Sequence, residues 1–214
     1  MSLDSFQLKC IAILSMAIDH IGAVFFPDVI LLRGIGRLAF PIFSFLLAEG
    51  FFHTGDLRRY LLRLGVFALL SEIPYDLAFH GTVLEFGHQN VFFTLAASLF
   101  VLYGMKKVQE ESLKVLILLG GMGICEWFGT DYGFLGVLLP VIYAQFRDRF
   151  RLKLILGAFW NFLWQPGIQY LGALAALPIA LYNGERGRKM KYLFYLFYPV
   201  HLLVLYGIRS YFNV

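Results

Sequence analysis

The chain has 214 residues, 59% of them hydrophobic and 18% aromatic, with only 15% charged and a mean hydropathy of +0.71. Soluble domains carry roughly a quarter charged residues, so an ordinary water-soluble enzyme is excluded, and an all-α polytopic bundle of membrane-spanning helices, one domain over 1–214, is expected. The net charge of +4 would suit nucleic acid if it formed a patch, but the basic residues sit in short loops between apolar blocks, which is a topology signal.

Nine spans are predicted, at roughly 7–26, 36–53, 59–79, 90–105, 112–128, 132–146, 152–165, 168–183 and 191–212. Spans six to eight are short for a hydrocarbon layer of about 30 Å, which takes about 20 helical residues to cross, so tilted or re-entrant segments are open there. Further spans follow the first block, which therefore does not read as a cleaved signal peptide. Fifteen of the eighteen Lys and Arg fall at the start of span one or in loops two-three, four-five, six-seven and eight-nine; only Arg33, Arg37 and Arg209 lie on the other side. The positive-inside rule then puts the N-terminus in the cytoplasm and the C-terminus outside. Cys10 and Cys125 have neither CxxC nor metal-ligand spacing, and no disulfide or zinc site is inferred from them.

Span one holds Asp19 and His20 side by side in an apolar run. An ionisable group near mid-bilayer costs on the order of 2.5 kcal/mol or more, and is kept where it lines a cavity, pairs or does chemistry. Span two passes Arg33 and Arg37, is interrupted early by Pro41, and ends in Glu49 and His53, four residues apart. Span three carries Glu72 and Asp76 at the same spacing with Pro74 between them, where a proline kinks a helix and frees a carbonyl. Asn90 opens span four, Asp131 sits in a tight turn before span six, Asn161 and Gln165 lie in span seven, and His201 follows Pro199 in span nine. Polar groups thus recur at similar depth, and a wet cavity from Glu49 and His53 to His20 and Asp76 would cross much of the membrane.

Several of these residues also have purely structural readings. Asp19 and His20 could fix helix packing, Glu72 and Asp76 could neutralise Arg33 or Arg37, and Asn90, Asn161 and Gln165 could serve as interhelical hydrogen-bond groups. The basic clusters, including Arg58, Arg59 and Lys191, are topology determinants and lipid-headgroup contacts first, and candidate phosphate ligands second.

A histidine with a carboxylate nearby suits proton transfer, because imidazole works as acid or base near neutral pH and the carboxylate orients it. The same ring can act as a nucleophile that carries an acyl group. Adjacent helical residues point about 100° apart, so the orienter of His20 is left open among Asp19, Asp76, Glu72 and Asn161. There is no HExxH pair, GxSxG elbow or P-loop. A proton-coupled transporter using the same cluster remains the alternative.

Leu8-Lys9-Cys10-Ile11-Ala12-Ile13 followed by Ile18-Asp19-His20-Ile21-Gly22 resembles the opening of the TraX family. Gly36-Arg37-Leu38-Ala39-Phe40-Pro41-Ile42-Phe43, Glu49-Gly50-Phe51, Ser71-Glu72-Ile73-Pro74-Tyr75-Asp76, Gln89-Asn90-Val91-Phe92-Phe93-Thr94, Asp131-Tyr132-Gly133 and Tyr198-Pro199-Val200-His201 extend the likeness over nearly the whole chain. The resemblance implies a multi-pass acyltransferase of the bacterial inner membrane. Its family namesake N-acetylates conjugative pilin, and it is distantly similar to the wider transmembrane acyltransferases that use cytoplasmic acetyl-CoA. His20 is the counterpart of their catalytic first-helix histidine.

The expected reaction is acetyl transfer to an amine or hydroxyl on an unidentified protein, glycan or lipid-linked acceptor. His20 would be base or acyl carrier, with Asp19, Asp76 or Glu72 as orienters and Asn90 or Asn161 as oxyanion donors. Arg37, Glu49, His53, Arg58, Arg59, Lys191 and His201 would be donor-binding residues. No metal and no nucleic acid are expected.

Overall fold

The helices follow the apolar blocks. The computed structural model describes residues 2–164 and 166–212, with Lys191 by its backbone alone, so Gln165 and the Lys191 side chain lie outside the described residues. Among the described residues the architecture is all-helical, with two isolated bridges, Leu3 to Tyr182 and Gln89 to Thr130, and no β-strand. In chain order come α1 Ser5–Phe25, α2 Ile30–Gly36, α3 Ala39–His53, α4 Leu57–Phe79, α5 Val91–Lys107, α6 Glu111–Trp127, α7 Gly133–Gln145 and α8 Phe150–Trp160. A 3-10 segment, Ile168–Ala175, then runs into α9 Ala176–Ala180, and α10 Lys191–Phe212 closes the chain. The residues group into two compact units, Met1–Leu46 with Phe146–Val214, and Leu47–Gln145.

In the first unit α1 starts on a capping box. Asp4 accepts from the Gln7 amide at 2.8 Å, and the Gln7 side chain accepts from the Asp4 amide at 3.0 Å, which satisfies two of the donors that a helix start leaves over. The same end is held to the segment after α9 by the Leu3 amide on the Leu181 carbonyl (2.7 Å) and the Ser5 amide on the Glu185 carbonyl (2.8 Å). Two glycines let α1 and α2 approach closely: a Cβ on Gly36 would lie 2.1 Å from the Asp19 Cβ, and one on Gly22 would lie 2.7 Å from the Leu32 Cβ. Small residues at a helix interface permit this backbone approach, and Ser15 Oγ uses it to donate to the Ile35 carbonyl at 2.6 Å.

Span two was expected over 36–53 and is α3, Ala39–His53, preceded by the separate short helix α2, which Arg37 caps. Pro41 falls in the first turn of α3, where a missing N–H is tolerated. It has no N–H to offer the Arg37 carbonyl, and Gly172 comes so near that carbonyl that a Cβ there would be 2.9 Å away. Asn161, fully buried, donates to the Gly157 carbonyl at 3.0 Å and accepts from Gln169 at 2.9 Å, tying the end of α8 to the 3-10 segment. The eighth block, expected as a helix over 168–183, is 3-10 for its first eight residues and α-helical only over Ala176–Ala180. Gly167, Gly172 and Pro178 punctuate it too often for a regular helix.

In the second unit α4 is capped by Asp56, which accepts from the Arg59 amide at 2.9 Å, and the helix runs on through Pro74. α5 starts on Asn90, whose Oδ1 accepts from the Phe92 amide at 3.0 Å. The bridge beside it is made by the Gln89 amide on Gly129 (3.0 Å) and the Asp131 amide on Gln89 (2.8 Å). The Asp131-Tyr132-Gly133 turn forms as expected, with Tyr132 itself left-handed at φ 64° and Gly133 at φ 44°. A tyrosine in that region is uncommon and is held there by its surroundings.

Three stretches, Ser5–Phe25, Ile30–His53 and Tyr192–Phe212, are long and apolar enough to cross a membrane. The helices also wear their apolar residues outward. On α4 the exposed positions Leu62, Val66, Leu69, Leu70 and Ile73 recur at helical spacing, as do Leu196, Val200, Leu203 and Val204 on α10. Water penalises such stripes by about 25 cal/mol per Å² of apolar surface, whereas hydrocarbon does not. These are membrane helices in character.

Candidate active site around His20 and His201

Asp19 and His20 are neighbours on α1, and their side chains part company as the helical 100° step requires. Asp19 points to α2. Its Oδ2 accepts from Arg37 Nη2 at 2.7 Å, and its Oδ1 lies 3.0 Å from Arg33 Nη1. Arg33 also donates to the Asp19 backbone carbonyl at 3.3 Å, and Arg37 Nε donates to the Arg33 carbonyl at 3.2 Å. Asp19 is 8% exposed. Burying one carboxylate with two guanidiniums leaves this cluster with a net charge of +1, in a setting where desolvation is offset only by close pairing.

His20 points to α10, where its Nδ1 is 2.7 Å from Nε2 of His201. The ring planes are 9° apart and the centroids 4.9 Å apart. With the nitrogens this close, that separation describes two rings edge to edge in one plane, joined nitrogen to nitrogen. His201 Nδ1 meets the Phe197 carbonyl at 2.7 Å, and the Phe197 ring lies against the His201 ring at 4.7 Å and 14°. Tyr198 presents its ring edgewise to both histidines, at 6.0 Å from His20 and 5.7 Å from His201. The two imidazoles are therefore fixed in orientation by hydrogen bonds along one line and by aromatic rings around it.

This arrangement redistributes the expected roles. Asp19, the adjacent carboxylate, serves the arginines. Arg37, expected among donor-binding groups, is half of that ion cluster. His201, expected in the same set, is the group on His20 Nδ1.

Glu72 and Asp76 are held within the second unit. Asp76 Oδ2 accepts from the Glu85 amide at 2.8 Å, and Glu72 Oε2 takes a short hydrogen bond from the Asn90 side chain. Glu72 Oε1 and Asp76 Oδ1 are buried acceptors with no hydrogen-bond partner among the described residues, a chemistry suited to an ammonium or hydroxyl donor. Asn90 also donates to the Ala68 carbonyl at 2.8 Å, and Asn161 to the carbonyls of Gly157 and Ala158. The amide hydrogens expected to meet an oxyanion are thus directed at protein carbonyls and a carboxylate.

His53 lies 2.8 Å through Nδ1 from the Glu49 carbonyl and 3.8 Å from its carboxylate. Arg59 pairs with Asp56 at 3.0 Å, and Arg58 is exposed. Among the described residues no group of three or more His, Cys, Asp and Glu is placed to hold a metal ion.

The TraX family model, described as TraX protein, matches residues 4–209. The chain belongs to the TraX family. It is 30% identical over 231 aligned residues to a protein named "Probable fimbrial assembly protein FimC, serogroup H1" from Dichelobacter nodosus, covering 94% of each chain. A segment of 45 residues is 42% identical to the uncharacterized protein RP591 of Rickettsia prowazekii (strain Madrid E), 21% of this chain and 18% of that one. No solved structure matches significantly. Within this TraX protein His20 and His201 form the candidate site, with the Asp19, Arg33 and Arg37 ion cluster starting at the neighbouring residue of α1.

Sequence reasoning passed over Glu85, which organises the loop before α5. Its carboxylate accepts from the Gly87 amide (2.8 Å) and the His88 amide (2.7 Å), and these bonds, Gly87's first, hold it below the usual carboxylate range. A lowered pKa means that the anion's contribution is complete above the unfolded value near 4.3 and is lost as pH falls through the folded one. Amide exchange at Gly87 and His88 should accordingly lose protection, relative to Glu85→Gln at each pH, only at pH below the ordinary glutamate value. Protection that is the same in the two proteins at neutral pH would remove Glu85 from this role.

Proposed function

We propose that this TraX protein is a multi-pass acetyltransferase of the bacterial inner membrane, with nine crossings, its N-terminus in the cytoplasm and its C-terminus outside. It would move an acetyl group from cytoplasmic acetyl-CoA to an amine or hydroxyl acceptor. The observation that carries this reading is a histidine locked nitrogen to nitrogen against a second histidine, in a family whose namesake is an acetylase. His20 takes the proton of the acceptor as the acceptor attacks the thioester carbonyl, and returns it to the departing CoA sulfur. Alternatively His20 attacks the thioester first, expelling CoA as the thiolate, and carries the acetyl group until the acceptor attacks it and frees the imidazole.

The tetrahedral intermediate develops negative charge on the former carbonyl oxygen. With Asn90 and Asn161 donating elsewhere, the surplus cation of the Arg33, Asp19 and Arg37 cluster is the group suited to stabilise it. Within the second unit, taken by itself, the buried oxygens of Glu72 and Asp76 suit an ammonium, and exposed Arg58 suits a phosphate. The likeness to a fimbrial assembly protein makes a pilus-type protein amine the first acceptor class to test.

Protein purified in detergent should release free CoA from acetyl-CoA only when an acceptor is present, and the acetyl group should be recovered on that acceptor by mass spectrometry. Proton-coupled solute flux in liposomes with no CoA consumed would overturn the enzyme reading in favour of a transporter.

A further inference from the structure

We infer that His201 is the positioning residue of the site: it fixes His20 in the tautomer protonated on Nδ1, so that the reactive lone pair of His20 is on Nε2.

The direction of the bonds settles the tautomer. The Phe197 carbonyl is an acceptor only, so the nitrogen 2.7 Å from it, His201 Nδ1, carries a proton. A neutral imidazole has one N–H, so His201 Nε2 holds a lone pair and accepts across the 2.7 Å contact. His20 Nδ1 must then donate, and in a neutral ring its Nε2 is left unprotonated. The relay reads from His20 Nδ1–H to His201 Nε2, and from His201 Nδ1–H to the carbonyl of Phe197.

The opposite polarity is costly on either account. With a neutral His201 it would set the Nδ1 lone pair against the Phe197 carbonyl oxygen. With a doubly protonated His201 it would set a cation in a part-buried, aromatic-lined position. The in-plane geometry, 9° between rings, and the Phe197 ring packed against His201 at 4.7 Å keep the acceptor lone pair on the line of the donor. A free histidine favours the Nε2–H form, so holding the other one is work that the neighbour does. The same logic governs metal-bound histidines, whose second ring nitrogen is held by an outer partner.

The tautomer does not depend on the acetyltransferase reading, whereas its catalytic consequence rests on it, and the test separates the two. Histidine-selective 15N labelling in detergent gives five residues, His20, His53, His80, His88 and His201, assigned by single replacement. His20 is expected with an unprotonated Nε2 and a protonated Nδ1 in the wild type. His201→Phe, which offers no acceptor, should move His20 toward the Nε2–H form, and His201→Gln, which offers an amide oxygen, should hold it on Nδ1. A wild-type His20 protonated on Nε2 overturns the inference even if neither variant folds. So does a tautomer unchanged in His201→Phe.

In the CoA-release assay His201→Phe should lower kcat by about 100-fold, within the range that general acid–base groups contribute, with KM for acetyl-CoA little changed. His201→Gln should recover to within about tenfold of wild type. Full activity in His201→Phe with the tautomer shifted overturns the positioning role. The expected spectra together with no transfer by the wild type sustain the tautomer and overturn the acetyltransferase reading.

Discussion

Replacing His20 with alanine is expected to abolish acetyl transfer while leaving the fold in place. A positioned general base contributes about 10²–10⁴ in rate, and a residue that also carried the acetyl group would cost more, because the covalent route would vanish with it. The structural loss is modest by comparison. One hydrogen bond to His201 goes, worth about 1 kcal/mol net, and the exposed part of α1 still faces hydrocarbon through Leu14 and Ile21. CoA release and acetyl incorporation should therefore fall to background in a protein that elutes from gel filtration and melts much like the wild type.

Acid quenching of the wild type after mixing with acetyl-CoA alone separates the two chemistries. Acetyl-histidine trapped at His20 means a carrier, and no modification together with acceptor-dependent turnover means a base. A folded His20→Ala protein that transfers at the wild-type rate removes His20 from the centre of the mechanism.

Much of the helix order was legible from the apolar blocks. Span one was expected over 7–26 and is Ser5–Phe25, span three over 59–79 and is Leu57–Phe79, and span nine over 191–212 and is Lys191–Phe212. A long apolar stretch has one way to satisfy its backbone in lipid, and local caps such as Asp56 mark where it starts. The short helix α2 before span two was not legible; its C-cap Arg37 is ion-paired to Asp19 of α1 and its carbonyl faces Gly172, contacts that no local signal announces. The i to i+4 rule found the contact between Glu49 and His53 inside one helix. It has no reach across the 181 positions between His20 and His201. Both histidines were legible as anomalies in apolar runs, but their pairing belongs to the packing of α1 on α10. The surplus of charge was equally hidden, since Arg33 and Arg37 on one carboxylate become a cluster only where Gly22 and Gly36 let α2 close on α1.

That closeness makes Asp19→Asn the variant expected to damage the fold most. The amide fills the same space, so the close approach between the Asp19 Cβ and Gly36 is unaltered, and the change isolates the charge. Arg37 Nη2 at 2.7 Å and Arg33 Nη1 at 3.0 Å would then face a neutral side chain, and both part-buried cations would lose the Asp19 charge. Removing one partner of a buried ion pair costs about 3–5 kcal/mol, most of it the penalty on the charge left behind.

If that penalty is the source of the loss, deleting a cation should relieve it. Arg37→Gln in the Asp19→Asn background is expected to be more stable than Asp19→Asn alone, a coupling of about 1–3 kcal/mol for groups in direct contact. Thermal unfolding of the four proteins in one detergent, followed by tryptophan fluorescence, measures it. An Asp19→Asn protein as stable as the wild type, or losses that simply add, would mean that the carboxylate does not hold α2 to α1 by charge. Its place beside His20 would then have to be explained by the reaction instead.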